Sequence, residues 1–308
     1  MDIRAVDLPE LRAEVLAYYN TPTAHDTWRR MAENGMFLVP GIDGEQLLAA
    51  EIRRLRRETY WVSPEMTQLA CAAAPTMPGF TIQEHDLPSL YGFMYFAQPI
   101  ADTQAATRAG DAMTVSIVAC SWGPVYADDG STGLWISLYT PTGTPEVLLQ
   151  AHGYDSMAHA QRARAALPSL MYDNELLVPF GTDVNSAITP GLLHDTAGRV
   201  IRAVWSLMQQ PLAEQQDIEP DRATRKRLRR AGQEPKPVRV IELRRPKNAS
   251  STDSGPGNYH HQWIVRGHWR QHWYPKRQVH RPVWIAPHVK GPEGAPLIGG
   301  EKVYALKR

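Results

Sequence analysis

The spacing of hydrophobic residues changes along the chain from a helical period to a strand period. In the N-terminal third, apolar residues recur every three or four positions over Leu8 to Gly35 and over Gly44 to Tyr60, which predicts amphipathic helices. The tripeptide Ser63-Pro64-Glu65 combines an N-cap residue, a proline for the first helical position and an acidic first turn. It predicts a third helix that runs through Ala74.

Short segments rich in β-branched and aromatic residues occupy the middle of the chain. They are Leu90 to Ala97, Met113 to Val125, Leu134 to Tyr139 and Val147 to His152. Turn-forming clusters at 127–133 and 141–145 separate them, which is typical of an antiparallel sheet. A long helix with one apolar face is predicted over Leu192 to Gln210. Strands in succession, with helices before and after them, predict an α+β fold.

The C-terminal part has a different composition. Asp221 to Arg230 predicts a basic helix, and Val238 to Arg244 predicts a strand. A polar stretch poor in apolar residues follows, and it has the character of a flexible linker. We therefore expect an acidic α+β body over 1–220, a basic helix and strand over 221–246, a linker over 247–258, and a small basic β-rich module over 259–308.

Charge is distributed unevenly between these parts. The whole chain has 33 Lys and Arg and 32 Asp and Glu, a net charge of +1. Residues 221–308 hold 20 basic and 6 acidic residues, a balance of +14, which leaves 13 basic and 26 acidic residues, a balance of −13, for the rest. Such an asymmetry predicts contact with an anionic partner. Pairing of the basic part with the acidic body is the alternative.

Several common functions lack support in the sequence. The first residues show no secretory signal, and no apolar run reaches the length of a membrane span. Cys71 and Cys120 lie among apolar residues, which indicates buried thiols in a reducing compartment. There is no Walker loop, dinucleotide-binding glycine motif, GxSxG or HExxH. We therefore expect a cytoplasmic protein that has no cofactor and does not contact membranes.

The segment from Gln262 to Tyr274 carries the candidate chemistry. In an extended conformation alternate side chains share a face, so one face would hold Trp263, Val265, Trp269 and Trp273. The opposite face would hold Arg266, His268, Arg270, His272 and Tyr274. A second strand, Val283 to Lys290, would pair with the first and add His288 and Lys290. The intervening loop would add Lys276, Arg277 and Arg281.

Such a row of cations and aromatic groups suits a nucleic acid. Guanidinium groups match phosphate oxygens, and aromatic or arginine planes stack on unpaired bases. Single-stranded RNA is therefore a better match than DNA. Arg225 and Arg229 on the basic helix are further candidates for phosphate contact. The structural alternatives are a core role for the tryptophans and solvated charge for the cations.

His268 is the candidate for catalysis. An imidazole between Arg266 and Arg270 suits general acid–base work on a phosphodiester, and His272 would supply a second group. A metal-independent ribonuclease is thus an alternative function. The four-residue spacing of the two histidines would suit metal ligands in a helix, but the extended segment and its arginines argue against a metal site.

The run Arg266-Gly267-His268-Trp269, with Trp273 and the strand around Trp284, resembles the C-terminal signature of a group of phage and plasmid proteins. That group includes a type V-A anti-CRISPR family whose members suppress production of the Cas effector. Leu87 to Phe96 is similar to the Leu-Pro-aromatic strand of that family. The resemblance implies an inhibitor or regulator that recognises a protein or nascent peptide and contacts RNA or DNA through the basic module. A homodimer, and a purely protein-binding inhibitor or antitoxin, remain compatible with the sequence.

Overall fold

The computed structural model describes residues 3–39, 41–79, 81–106, 112–126, 132–152, 154–182, 193–244, 263–276 and 278–290. Within these ranges the α-helices are α1 (Leu8–Tyr19), α2 (Pro22–Glu33), α3 (Gly44–Leu55), α4 (Pro64–Ala73), α5 (Pro145–His152), α6 (Met157–Ala166), α7 (Leu193–Leu207) and α8 (Arg222–Arg230). The strands are β1 (Glu58–Val62), β2 (Gly92–Phe96), β3 (Ala101–Ala106), β4 (Ala112–Ile117), β5 (Ala119–Tyr126), β6 (Thr132–Pro141), β7 (Leu170–Pro179), β8 (Ala213–Ile218), β9 (Val238–Leu243), β10 (Trp263–Val265), β11 (His268–Tyr274), β12 (Val279–Ile285) and β13 (His288–Lys290).

Seven strands form one sheet in the order β7-β6-β5-β2-β1-β9-β8. Strand β1 is parallel to both of its neighbours, β2 and β9, and the other neighbouring strands are antiparallel. Helices α1, α2 and α3 cover one face of the sheet, and α4 and α7 cover the other. The predicted α+β fold, with a mostly antiparallel central sheet and packed helices, is confirmed.

Strand β2 contributes side chains to two separate hydrophobic cores, one on each face of the sheet. Phe93 and Tyr95 pack in the hydrophobic cluster under α1 to α3, whereas Met94 and Phe96 pack in the cluster under α4 and α7. All five residues of the strand are buried. A strand that is covered on both faces needs apolar residues at every position, and for this reason β2 is a continuous apolar run in the sequence.

The sequence prediction was wrong about secondary structure in several places. Glu58 to Tyr60, predicted as the end of a helix, belongs to the central strand β1 (Glu58–Val62), as the β-branched and aromatic composition of that strand favours. Val147 to His152, predicted as a strand, belongs to α5, which begins with Pro145 at a position where proline is preferred. The long first helix is divided at Thr21, whose side chain accepts a hydrogen bond from the Ala24 amide and caps α2.

A buried ionic network holds α3 against the sheet. Glu51 accepts hydrogen bonds from three hydroxyl groups of the sheet, on Ser121, Ser137 and Tyr139. Arg54, one turn further along α3, donates from Nη1 to Glu51 Oε2 at 3.1 Å. Its guanidinium carbon also lies 3.6 Å from the centroid of the Trp135 ring. Charges can be buried this deeply only when they are paired and hydrogen-bonded.

The boundary expected at residue 220 runs through the central sheet. Strand β8 precedes that position and β9 follows it, and the two strands pair with each other over six residues each. The predicted linker 247–258 lies outside the described residues. In the described ranges no helix has both the length and the apolar character needed to cross a membrane.

Candidate nucleic-acid interface

Strands β11 and β12 form an antiparallel hairpin with seven paired residues on each strand. The segment predicted as one strand, Val283 to Lys290, is divided in the structure. Its first residues belong to β12, and His288–Lys290 pairs instead with β10. Pro287 lies at the break, where it offers no amide hydrogen for a continued ladder. Arg281, predicted in the connecting loop, lies in β12.

Trp269 and Trp284 attach this hairpin to the body, and Gly267 packs closely against Trp284. The Trp269 indole nitrogen donates to the carbonyl oxygen of Ala73 at the end of α4, at 2.8 Å. The Trp269 ring also meets the Trp284 ring edge-on, with centroids 5.3 Å apart, and Trp284 is 9% exposed within the core. A Cβ added to Gly267 would lie 2.4 Å from Cζ2 of Trp284. Gly267, Trp269 and Trp284 therefore have a packing role.

The predicted tryptophan face is only partly turned inward. Trp269 packs against the core, but Trp273 is 44% exposed, and its ring centroid is 4.9 Å from that of His280. The side chain of Trp263 lies outside the described residues. The core role that the sequence allowed for these tryptophans is thus realised at Trp269 and not at Trp273.

The predicted row of cations on β11 lies at the surface. Arg266, His268, Arg270 and His272 are all exposed. Four residues of extended chain separate the two histidines, about 14 Å at about 3.4 Å per residue. The row is therefore long enough to meet successive phosphates of a strand. The roles of His268 and His272 as acid and base stay a prediction.

The remaining residues predicted in the C-terminal module do not join that row in one cluster. His288 is exposed, with Nδ1 3.1 Å from the carbonyl oxygen of Ala286. Lys276 is exposed in the turn after β11. Arg277 and the side chain of Lys290 lie outside the described residues. Among the side chains that the structure describes, no group of three or more His, Cys, Asp and Glu is placed to hold a metal ion.

Ion pairs within the fold balance part of the excess positive charge after residue 221. Three ion pairs join arginines after residue 221 to acids of the body, namely Arg227–Glu10, Arg239–Asp217 and Arg281–Asp86. The internal pairing that the sequence allowed as an alternative is thus realised at these positions. Because the Arg281 guanidinium is engaged with Asp86, we do not include Arg281 among the phosphate contacts.

Helix α8 carries the strongest unbalanced charge. It begins at the N-cap Asp221, whose carboxylate accepts a hydrogen bond from the Thr224 amide at 2.7 Å, and this bond lowers the pKa of Asp221. Thr224 and Leu228 are buried on the side that packs against α1. The exposed side holds five cations, Arg222, Arg225, Lys226, Arg229 and Arg230. We call these five residues the α8 stripe.

Within the described ranges, no acidic side chain pairs with the α8 stripe. No ion pair formed among the described residues involves any of its five members. Its members are three or four positions apart, where like charges destabilise a helix by roughly 0.2–0.5 kcal/mol per pair. The helix dipole stabilises cations in the last turn and so offsets part of this repulsion. An anion bound along the stripe would relieve the remaining repulsion.

The two basic surfaces lie on opposite sides of the sheet. Helix α8 packs on α1, which belongs to the core under α1 to α3. The β11–β12 hairpin is anchored through Trp284 in the other core. The structure therefore separates Arg225 and Arg229 from the row on β11, although the sequence places all of them in one basic region.

The similarity of this chain to a known protein lies in the fold. No protein-family model matches the sequence, and no curated protein matches it. The fold is similar to the crystal structure of AcrVA2, a type V-A anti-CRISPR protein. The TM-score is 0.39 at 13% sequence identity, over 92% of this chain and 94% of that chain. A similarity of this size establishes neither a shared site nor a shared partner.

Proposed function

We propose that this protein is an inhibitor or regulator of the anti-CRISPR type that acts by binding RNA, without catalysing a reaction. The α8 stripe carries the proposal. Its five exposed cations share one helix face, have no acidic partner in the described structure, and repel one another. A polyanion supplies the missing countercharges, and the negative charges of a nucleic-acid backbone are spaced closely enough to do so.

The exposed row on β11 is the second RNA contact in this proposal. Arg270 offers a planar fork for phosphate, and His268 and His272 add hydrogen-bond donors beside it. Because the sheet separates this row from the α8 stripe, we expect each surface to contribute independently to affinity. The anti-CRISPR class, and a protein or nascent peptide as the second partner, rest on the sequence resemblance at Arg266 to Trp269.

Neutralising two cations of the α8 stripe tests the proposal. We expect the double variant Arg225→Gln/Arg229→Gln to bind a fluorescein-labelled oligouridine about tenfold more weakly at low salt, measured by fluorescence anisotropy. The slope of log affinity against log salt, taken between about 50 and 200 mM, should become shallower by about 1.4, since each phosphate contact on a single strand contributes about 0.7.

A matched control separates this effect from a loss of general positive charge. Arg53 and Arg162 are exposed arginines on two other helices, α3 and α6. The variant Arg53→Gln/Arg162→Gln removes the same charge and should retain the affinity and the salt slope of the wild type. Removing mutually repelling cations should not lower the melting temperature, so weaker binding would not reflect unfolding. Equal affinity and slope in both double variants would refute the proposal.

A further inference from the structure

A cavity of about 610 Å³ lies between the C-terminal half of α7 and the β11–β12 hairpin. Its volume is within the range of sites that hold small molecules. Trp205 of α7 and Tyr274 and Val283 of the hairpin contribute apolar wall, and the Arg281–Asp86 ion pair is part of the lining. No sequence motif indicates this cavity, because its walls come from three segments that are distant in the chain.

The charged groups of the cavity favour an anion. Three cations, Arg202, Lys276 and Arg281, line it together with one carboxylate, that of Asp86. Arg202 is only 3% exposed, whereas Lys276 is exposed at the turn of the hairpin. A charge-assisted hydrogen bond is strengthened where water is partly excluded, so the buried guanidinium makes the interior favourable for a negatively charged group.

The aromatic groups of the cavity favour a flat ring. Tyr274 is 39% exposed and belongs to the wall, and Trp205 lies deeper, at 3% exposure. The Trp205 ring lines the cavity with apolar surface, while its indole nitrogen lies below the accessible surface. An unstacked base fits these features, because bases stack on aromatic side chains.

The cavity is continuous with the row of cations on β11. Tyr274 is the last residue of that strand, and its ring meets the His272 ring with centroids 4.9 Å apart. Lys276 follows in the turn and also lines the cavity. A strand of RNA that lies along β11 therefore reaches the cavity with its next nucleotide.

We propose that this cavity binds one nucleotide of RNA, with its base against Tyr274 and its phosphate at Lys276 and Arg202. The proposal rests on the RNA-binding function proposed above and names the nucleotide site of that function. An acidic peptide would match the cations but would leave the aromatic wall unused, so it is treated as an outcome of the test.

The affinity for a mononucleotide tests the site directly. Uridine 5′-monophosphate should bind the full-length protein in a saturable manner by isothermal titration calorimetry. We expect Tyr274→Ala to weaken this binding roughly tenfold, and Tyr274→Phe to retain it, since stacking needs the ring and not the hydroxyl group. Trp273→Ala is the matched control, because Trp273 is the neighbouring exposed aromatic residue on the other face of β11 and should leave the affinity unchanged.

Comparing a nucleotide with its nucleoside tests the phosphate subsite at Lys276. Lys276→Gln should weaken binding of uridine 5′-monophosphate several-fold and leave the weaker binding of uridine, which lacks the phosphate, unchanged. A hydrogen-exchange map of each variant should match that of the wild type over the hairpin, which would show that the hairpin stays docked. Equal losses for nucleotide and nucleoside would overturn the assignment of Lys276 to the phosphate.

The outcomes distinguish the two proposals. If oligouridine binds through the α8 stripe but the mononucleotide does not bind, the cavity proposal is overturned and the proposed function stands. If a short polyglutamate binds in the cavity and Tyr274→Ala leaves its affinity unchanged, the cavity is a peptide site and the nucleotide proposal is likewise overturned. If neither oligouridine nor mononucleotide binds, both proposals fail.

Discussion

The packing role of the signature motif predicts a local effect of the substitution Gly267→Ala. The added Cβ would lie 2.4 Å from Cζ2 of Trp284 and 3.2 Å from Cδ of Pro287. Because Trp284 is held in the core and against Trp269, its ring cannot retreat without disturbing both contacts. Overpacking of this kind costs about 1–3 kcal/mol. We expect the cost to appear as easier undocking of the β11–β12 hairpin.

Hydrogen exchange followed by mass spectrometry measures that undocking. Amides of residues 268–285 should exchange roughly 5- to 150-fold faster in Gly267→Ala than in the wild type, while those of the central sheet stay unchanged. Gln271→Ala is the control on the same hairpin, since Gln271 is exposed and such changes cost no more than about 0.5 kcal/mol.

A double-mutant cycle identifies the contact responsible. Trp284→Phe removes the atoms that the new Cβ would meet, so Gly267→Ala should cost less in that background, with a coupling of about 1 kcal/mol or more. If Gly267→Ala leaves exchange of the hairpin at the wild-type rate, or if the two changes are additive, the assigned packing role of the glycine is wrong.

Two further predictions concern the buried charges under α3. Arg54→Met should lower the free energy of unfolding by about 3–5 kcal/mol in urea titrations, because it leaves the Glu51 carboxylate buried without its cation, and the added change Glu51→Gln should restore much of the loss. Burial raises the pKa of Glu175 above its ordinary value of 4.5. The folded protein therefore holds this proton more tightly than the unfolded chain, and stability should fall as pH rises from the unfolded value through the folded one. Relative to Glu175→Gln, which does not titrate, the wild type should lose stability over that window and then level off. A difference between wild type and variant that is independent of pH would contradict this reading.

The local patterns of the sequence predicted much of the fold because they depend on neighbours in the chain. The α+β class, the basic helix α8 and strand β9 all follow from periodicity and from capping residues. Glu58–Val62 was missed because a five-residue segment next to a helix, with Glu58 and Thr59 at its start, carries no clear period of its own. Only its partners β2 and β9, which are distant in sequence, make it the centre of the sheet.

In the candidate site, too, some features were predictable from the local sequence and others depend on distant parts of the chain. Alternation along the sequence correctly predicted that Arg266, His268, Arg270 and His272 are exposed together, since strand geometry is local. It did not predict that Trp273 is exposed, because burial depends on which part of the body lies against the strand. The packing role of Gly267 was likewise not evident, since it requires the Trp284 ring, which only the folded hairpin brings to it.

Composition and residue spacing are enough to show that the C-terminal part of this protein is strongly basic and which of its residues alternate along a strand or share a helix face. The ion pairs and surface positions of those basic residues depend on the folded structure. It paired Arg227, Arg239 and Arg281 with acids of the body, left the α8 stripe unbalanced, and placed the stripe and the β11 row on opposite sides of the sheet. The physical reason is that charge and periodicity are properties of neighbouring residues, whereas ion pairing, burial and the cavity beside Tyr274 depend on segments that meet only after folding.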